Sequence, residues 1–153
     1  MKAADHFHVG IVVDDFDNAL EELADLFGHE WCPTMSVSTP VVLSGGEAML
    51  DLVFTYSRTT PRVELIQSMP GTLWVPAPAS GIHHLGYWSD DVAADAARLT
   101  ARGYSAEATG VRPDGTAVWA YHRSASGPRI ELVSRAIAAG LEQYWASSEG
   151  SER

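Results

Sequence analysis

Apolar positions along this chain fall into short strand-like runs and helical stripes that alternate in a set order. The run His6 to Val13 (HFHVGIVV) is apolar and rich in β-branched residues, so it reads as a strand. Asp14 and Asp15 come next, with side-chain oxygens suited to capping a helix. Phe16, Leu20, Leu23 and Phe27 then recur at the spacing of a helix with one apolar face, and Gly28 is placed to end it. Three further strands are predicted near residues 31–38, 48–56 and 62–67. The segment 69–80 carries Pro70, Pro76 and Pro78 and reads as a linker. Beyond it the order returns: a strand at 82–89, a helix at 92–102 ending at Gly103, and strands near 104–109, 117–123 and 129–134. A last amphipathic helix, at about 135–146, is expected to pack on the outside.

The two halves also repeat residue by residue. His8-Val9-Gly10-Ile11-Val12-Val13-Asp14-Asp15 matches His84-Leu85-Gly86-Tyr87-Trp88-Ser89-Asp90-Asp91 at an offset of 76. Pro61-Arg62-Val63-Glu64-Leu65-Ile66 matches Pro128-Arg129-Ile130-Glu131-Leu132-Val133 at an offset of 67. The unit is too long for a solenoid repeat and reads as one half-domain used twice. The fold class that follows is α+β, with two tandem βαβββ modules in one domain over residues 1–153. Module one covers about 5–68, the linker 69–80 and module two about 81–135.

Composition narrows the functional classes. A length of 153 residues suits one compact domain, which at this size buries roughly 70 % of its unfolded surface without disulfides or structural metals. The formal net charge of −10 argues against nucleic acid or an anionic membrane as partner. The single cysteine, Cys32, allows no intrachain disulfide, which points to a reducing, cytoplasmic setting. No targeting segment is evident near Met1, and no apolar run approaches the length of about 18 residues needed to span a bilayer.

The repeat brings candidate metal ligands together. His8 lies in the first strand of module one and Glu64 in its last, and His84 and Glu131 hold the same places in module two. If the modules pair about a pseudo-twofold axis, two imidazoles and two carboxylates converge. That donor set suits one divalent ion of borderline to hard character: Ni, Co, Zn, Mn or Fe. An octahedral ion held by four side chains keeps positions open for a substrate. His83 is expected on the opposite strand face from His84.

These duplicated motifs, the His-x-Gly strand, the Asp-capped helix and the returning Glu-Leu strand, resemble the vicinal oxygen chelate superfamily. That group includes glyoxalase I, methylmalonyl-CoA epimerase, extradiol dioxygenases and the bleomycin- and fosfomycin-resistance proteins. The resemblance covers about residues 5–135. It implies a cupped, mostly antiparallel sheet and puts the metal ligands at His8, Glu64, His84 and Glu131. The intact set of four is similar to the lyase and epimerase branches.

The implied activity is that of a glyoxalase-like lyase or isomerase, or an epimerase, which removes a proton next to a carbonyl held on the metal. Glu64 and Glu131 are the candidate bases, with Glu64 favoured as base and Glu131 as ligand. Trp88, Trp119, Tyr121 and Tyr56 are candidate pocket walls for an aromatic or hydrophobic acyl substrate, with Trp31 and Trp74 as further candidates. Arg62 and Arg129 precede the glutamates by two and are candidates for an anionic group of the substrate, or for surface salt bridges. Two other functions stay open: an Fe(II) extradiol-type dioxygenase, and a non-catalytic protein that binds an aromatic small molecule. A homodimer is the expected assembly.

Overall fold

The computed structural model of the protein describes residues 1–147. A short 3-10 turn at Ala3–Asp5 precedes module one, which runs β1 (His6–Val13), α1 (Phe16–Phe27), β2 (Met35–Leu43), β3 (Gly46–Tyr56) and β4 (Arg62–Gln67). Module two runs β5 (Ile82–Ser89), α2 (Val92–Ala101), β6 (Ser105–Val111), β7 (Ala117–Arg123) and β8 (Arg129–Ser134). A 3-10 turn at Arg135–Ile137 leads into α3 (Ala138–Ala146). The helix starts work as their sequences imply. Asp15 accepts a hydrogen bond from the Asn18 backbone N–H at 3.2 Å, and Asp91 one from that of Ala94 at 2.9 Å. Gly28 ends α1 in the left-handed region, at φ 71°.

The strands close into a barrel in the order β1-β4-β3-β2-β6-β7-β8-β5. The cupped sheet expected from the resemblance is closed on itself. β2 and β6 pair antiparallel from Val41↔Gly110 to Leu43↔Ala108, so the two free edges of a cup are joined. The pairing is otherwise mostly antiparallel, with β1–β4 and β5–β8 the parallel exceptions. β2 also starts later than predicted. Trp31 makes only an isolated bridge to Ser57, and Pro33 lacks the N–H that a ladder needs. Pro40 is tolerated because pairing to β6 begins only at Val41.

Two apolar cores result. One fills the barrel: Val12, Val41, Ile66, Ala108 and Tyr121, with Trp74 of the 69–80 segment buried among them at 1 % exposure. The other lies between α2 and the outer barrel face, through Val92, Ala120 and Leu132. The seam between modules is β1 against β5, and the site is built there. No described helix is long and apolar enough to cross a membrane.

Candidate metal centre

At the seam, each copy of the His-x-Gly motif pairs with the other. His8 stands opposite Gly86, and Gly10 opposite His84. The glycines are there because an imidazole occupies the space of their side chains. A Cβ on Gly10 would lie 1.8 Å from His84 Cε1, and one on Gly86 would lie 1.9 Å from His8 Cε1. On the other side of each glycine the parallel neighbour supplies a glutamate: Gly10 pairs with Glu64 on β4, and Gly86 with Glu131 on β8. One repeated pattern thus brings four side chains to a single point inside the barrel.

The geometry there is tight. His8 Nε2 and His84 Nε2 are 2.9 Å apart. Glu64 Oε2 lies 3.5 Å from His8 Nε2 and 3.2 Å from His84 Nε2, and Glu131 Oε2 lies 3.0 Å and 3.4 Å from them. All four atoms fall within 4.8 Å of one another. Both histidines are fully buried and both glutamates nearly so. Apart from the two imidazoles, Glu64 Oε2 and Glu131 Oε2 find no partner among the described residues, a costly arrangement for buried carboxylates.

These residues fit a metal ion. Bonds of about 2.1 Å around one ion give neighbouring donors edges of about 3.0 Å if octahedral and about 3.4 Å if tetrahedral, which is the range found between each nitrogen and its neighbours. Two buried carboxylates also demand positive charge. Burial alone would push the His8 imidazole down, but hydrogen bonding to Glu131 and Glu64 outweighs it and lifts the pKa to about 9. His84 is raised by the same balance. Burial would raise Glu64 and Glu131, yet the two imidazoles hold both below the usual carboxylate range. A divalent cation meets the same demand without the protons.

His83 does not turn away from His84 as strand alternation predicts. β5 carries an irregularity in which Gly10 pairs with His84 and Ile11 already with Ile82, so His83 falls at a bulge. Its Nδ1 lies 3.0 Å from His84 Nδ1, and its Nε2 lies 2.8 Å from the Leu73 carbonyl oxygen. Burial pushes its pKa down to about 4.

The centre opens on a cavity of about 100 Å³ whose walls include Glu64, Glu131, Tyr56, Trp119 and Tyr121. Tyr56 pairs with Glu64 in the β3–β4 register, and Tyr121 with Glu131 between β7 and β8. Each tyrosine ring also stands edge-on to one imidazole, Tyr56 at 5.4 Å from His8 and Tyr121 at 5.0 Å from His84. Burial, then the nearby carboxylates, raise both phenols well above their ordinary value. Trp74 joins the walls, and so do Leu52, Phe54 and Ile66.

Four residues predicted for the pocket lie outside this cavity. Trp88 stacks on Phe7 at 4.0 Å and is not among the cavity walls; a register shift between His6 and His8 accompanies this contact. The Arg62 guanidinium lies 4.1 Å over the Trp145 ring and donates to the Ser57 carbonyl at 2.7 Å. Arg129 is held by Glu107 through two hydrogen bonds of 2.5 and 3.1 Å, the salt-bridge alternative. Trp31 stacks on His29 and is not a cavity wall either. α3, expected outside, instead supplies cavity walls through Ile137 in the preceding turn and Leu141. Its apolar period was visible in the sequence, but the surface it covers was not.

The family model described as the Glyoxalase/Bleomycin resistance protein/Dioxygenase superfamily matches residues 7–122. The chain belongs to that superfamily. Solved structures superpose on it. A methylmalonyl-CoA epimerase in complex with methylmalonyl-CoA and ammonium is 19 % identical, with a TM-score of 0.57 over 85 % of this chain and 93 % of that one. The Mycobacterium tuberculosis methylmalonyl-CoA epimerase is 19 % identical, with a TM-score of 0.56 over 91 % and 97 %. A hypothetical protein from Bacillus halodurans C-125 is 13 % identical, with a TM-score of 0.56 over 97 % of both chains. At these identities the likeness establishes the fold. No curated protein matches the chain.

Proposed function

We propose that this protein is a divalent-metal-dependent lyase or isomerase of the superfamily, epimerase-like in its chemistry. The observation that carries the reading is the pair of buried carboxylate oxygens, with no partner among the described residues but two imidazole nitrogens, at the edge of an apolar cavity. His8, Glu64, His84 and Glu131 would hold the ion, which when bound acts as a Lewis acid toward a carbonyl oxygen and acidifies the carbon next to it.

The chain's own residues supply the rest. Glu64 on β4 and Glu131 on β8 stand on opposite sides of the β1–β5 seam. One of them, as carboxylate, would take the α-proton, and the other, entering the step as the carboxylic acid, would give its own proton to the opposite face and so invert the carbon. Return by the same carboxylate to a neighbouring atom gives isomerisation. Tyr56 and Tyr121 stay neutral, so their hydroxyls donate to a carboxylate or a substrate oxygen. Trp74, Trp119 and the aliphatic walls keep bulk water from the exposed carbon.

The cavity also bears on the substrate. Its volume of about 100 Å³ is smaller than the roughly 150 Å³ that accommodates benzene in an apolar protein cavity. Because it opens to solvent, the cavity would take the reacting end of a hydrophobic substrate and leave the remainder outside.

The test begins with metal content by plasma mass spectrometry, on the wild type and on Glu64→Ala. About one Ni, Co, Zn or Mn per chain is expected, and loss of it in the variant. The loaded protein is then incubated in deuterium oxide with methylmalonyl-CoA, the ligand of one structural neighbour, and with other short acyl thioesters. Deuterium uptake at the α-carbon that stops on chelation supports the reading. No metal after reconstitution refutes it, and iron kept in the variant with oxygen uptake on a catechol replaces it with the dioxygenase.

A further inference from the structure

His83 hydrogen-bonds a ligand of the centre and is neither one of the four ligands nor a wall of the apolar cavity. Its two ring nitrogens form a chain with a single consistent direction. The Leu73 carbonyl can only accept, so His83 Nε2 carries the proton that reaches it at 2.8 Å. A neutral His83 then has its lone pair on Nδ1, which lies 3.0 Å from His84 Nδ1. His84 must donate across that gap, so the proton of its own ring sits on Nδ1. Once a metal takes the place of the second ring proton, Nε2, the atom facing the two carboxylates, offers its lone pair.

The anchor of this chain is rigid. The backbone N–H of Met69 donates to the Trp74 carbonyl at 2.7 Å, the Thr72 hydroxyl donates to the Met69 carbonyl at 2.7 Å, and the Trp74 N–H donates to the Thr72 hydroxyl at 3.1 Å. Leu73 lies inside this loop, next to the buried Trp74. Module one has no counterpart. At the repeat offset of 76 the residue matching His83 is Phe7, and His8 Nδ1 has no partner among the described residues.

We propose that His83 is a positioning residue: tied to the Leu73 carbonyl, it fixes the proton on His84 Nδ1 and the plane of the ring, so that Nε2 is presented to the metal. The proposal rests on the reading of the four residues as a metal centre. It makes the two histidines unequal, one held from behind and one not. Outer hydrogen-bond partners of metal-bound histidines have this role generally, and their loss weakens metal affinity by about 10- to 100-fold.

The test compares His83→Leu, which removes the acceptor, with His83→Asn, whose amide oxygen can occupy the place of Nδ1. Zn(II) affinity is measured by chelator competition and Co(II) loading by its d–d absorption. The metal-free melting temperature is recorded alongside. The expected result is affinity about 10- to 100-fold weaker in His83→Leu, a changed Co(II) spectrum, and recovery of both in His83→Asn. Long-range nitrogen NMR of the loaded wild type is expected to find the His84 proton on Nδ1. Wild-type affinity in His83→Leu, or Asn no better than Leu, overturns the proposal and leaves the metal centre standing. A wild type that takes up neither Zn(II) nor Co(II) overturns the metal centre itself and this proposal with it.

Discussion

Adding one methyl group at Gly10 tests the whole account of the centre, because Gly10 packs against His84 yet is not itself a ligand and contributes no donor. In Gly10→Ala the new Cβ would stand 1.8 Å from His84 Cε1, whereas ordinary contact begins at 3.4 Å. The ring has to retreat by at least the difference, about 1.6 Å. A metal–nitrogen bond is about 2.1 Å and tolerates about 0.2 Å of error. His84 is therefore lost as a ligand, and metal affinity falls by more than the 100-fold that marks the upper end for outer-partner changes. Overpacking costs about 1–3 kcal/mol of stability as well, which the metal-free protein reports separately as a lowered melting temperature.

Gly86→Ala makes the mirror experiment. Its Cβ meets His8 Cε1 at 1.9 Å, so it attacks the other imidazole from the other strand. Gly45→Ala is the control, since nothing lies within 4 Å of its added Cβ. Chelator competition on all three, with calorimetry of the metal-free forms, separates lost ligation from lost stability. Retention of wild-type stoichiometry and affinity by a folded Gly10→Ala would refute the claim that the glycines exist to admit the opposing imidazoles.

Two further outcomes follow from residues away from the centre. His122 on β7 is 2 % exposed, and burial lowers its pKa below 6.5, the neighbouring Glu107 only partly offsetting this. The unfolded chain therefore binds a proton that the folded protein refuses, so stability is full above about pH 6.5 and drains away as pH falls toward the folded value. The melting temperature of the wild type should drop more between pH 7.5 and 5.5 than that of His122→Phe, and equal slopes would refute this. Arg129→Met should cost about 1–3 kcal/mol by leaving Glu107, three-quarters buried, without its two hydrogen bonds. Because Arg129 lines a different cleft and not the apolar cavity, KM of the α-proton exchange should stay unchanged; a raised KM would return Arg129 to substrate binding.

The cluster of His8, Glu64, His84 and Glu131 was legible because it is written twice at matching offsets, and the pairing of Gly10 with His84 and of His8 with Gly86 explains why each histidine comes with a glycine two residues on. Strand parity placed Tyr121 and Trp119 on one face, and both line the cavity. What escaped was set by contacts remote in sequence or by departures from regular pleating. The bulge in β5 brings His83 to His84, and a register shift in β1 accompanies the stacking of Phe7 on Trp88. Arg129 and Glu107 are 22 residues apart on different strands, so no local pattern announces their pairing. The closure of β2 on β6 depends on three residue pairs between modules that share no sequence signal.

The duplication explains the centre and also where the protein departs from it. Two like modules meeting antiparallel must place like residues about an axis, which yields two histidines, two glutamates and two flanking tyrosines at no cost in new sequence. Such symmetry alone would make both faces of a bound carbon equivalent, and an enzyme that moves a proton between them gains from that likeness. Binding needs the opposite, because a substrate has one reacting end. The unrepeated parts supply the difference. The 69–80 segment inserts Trp74 and anchors His83, α3 brings Leu141 to the cavity, and Phe7 stands where module two has a histidine. Substitutions in these unrepeated parts should therefore shift substrate preference and the inequality of the two histidines, while substitutions in the repeated motifs should remove the metal.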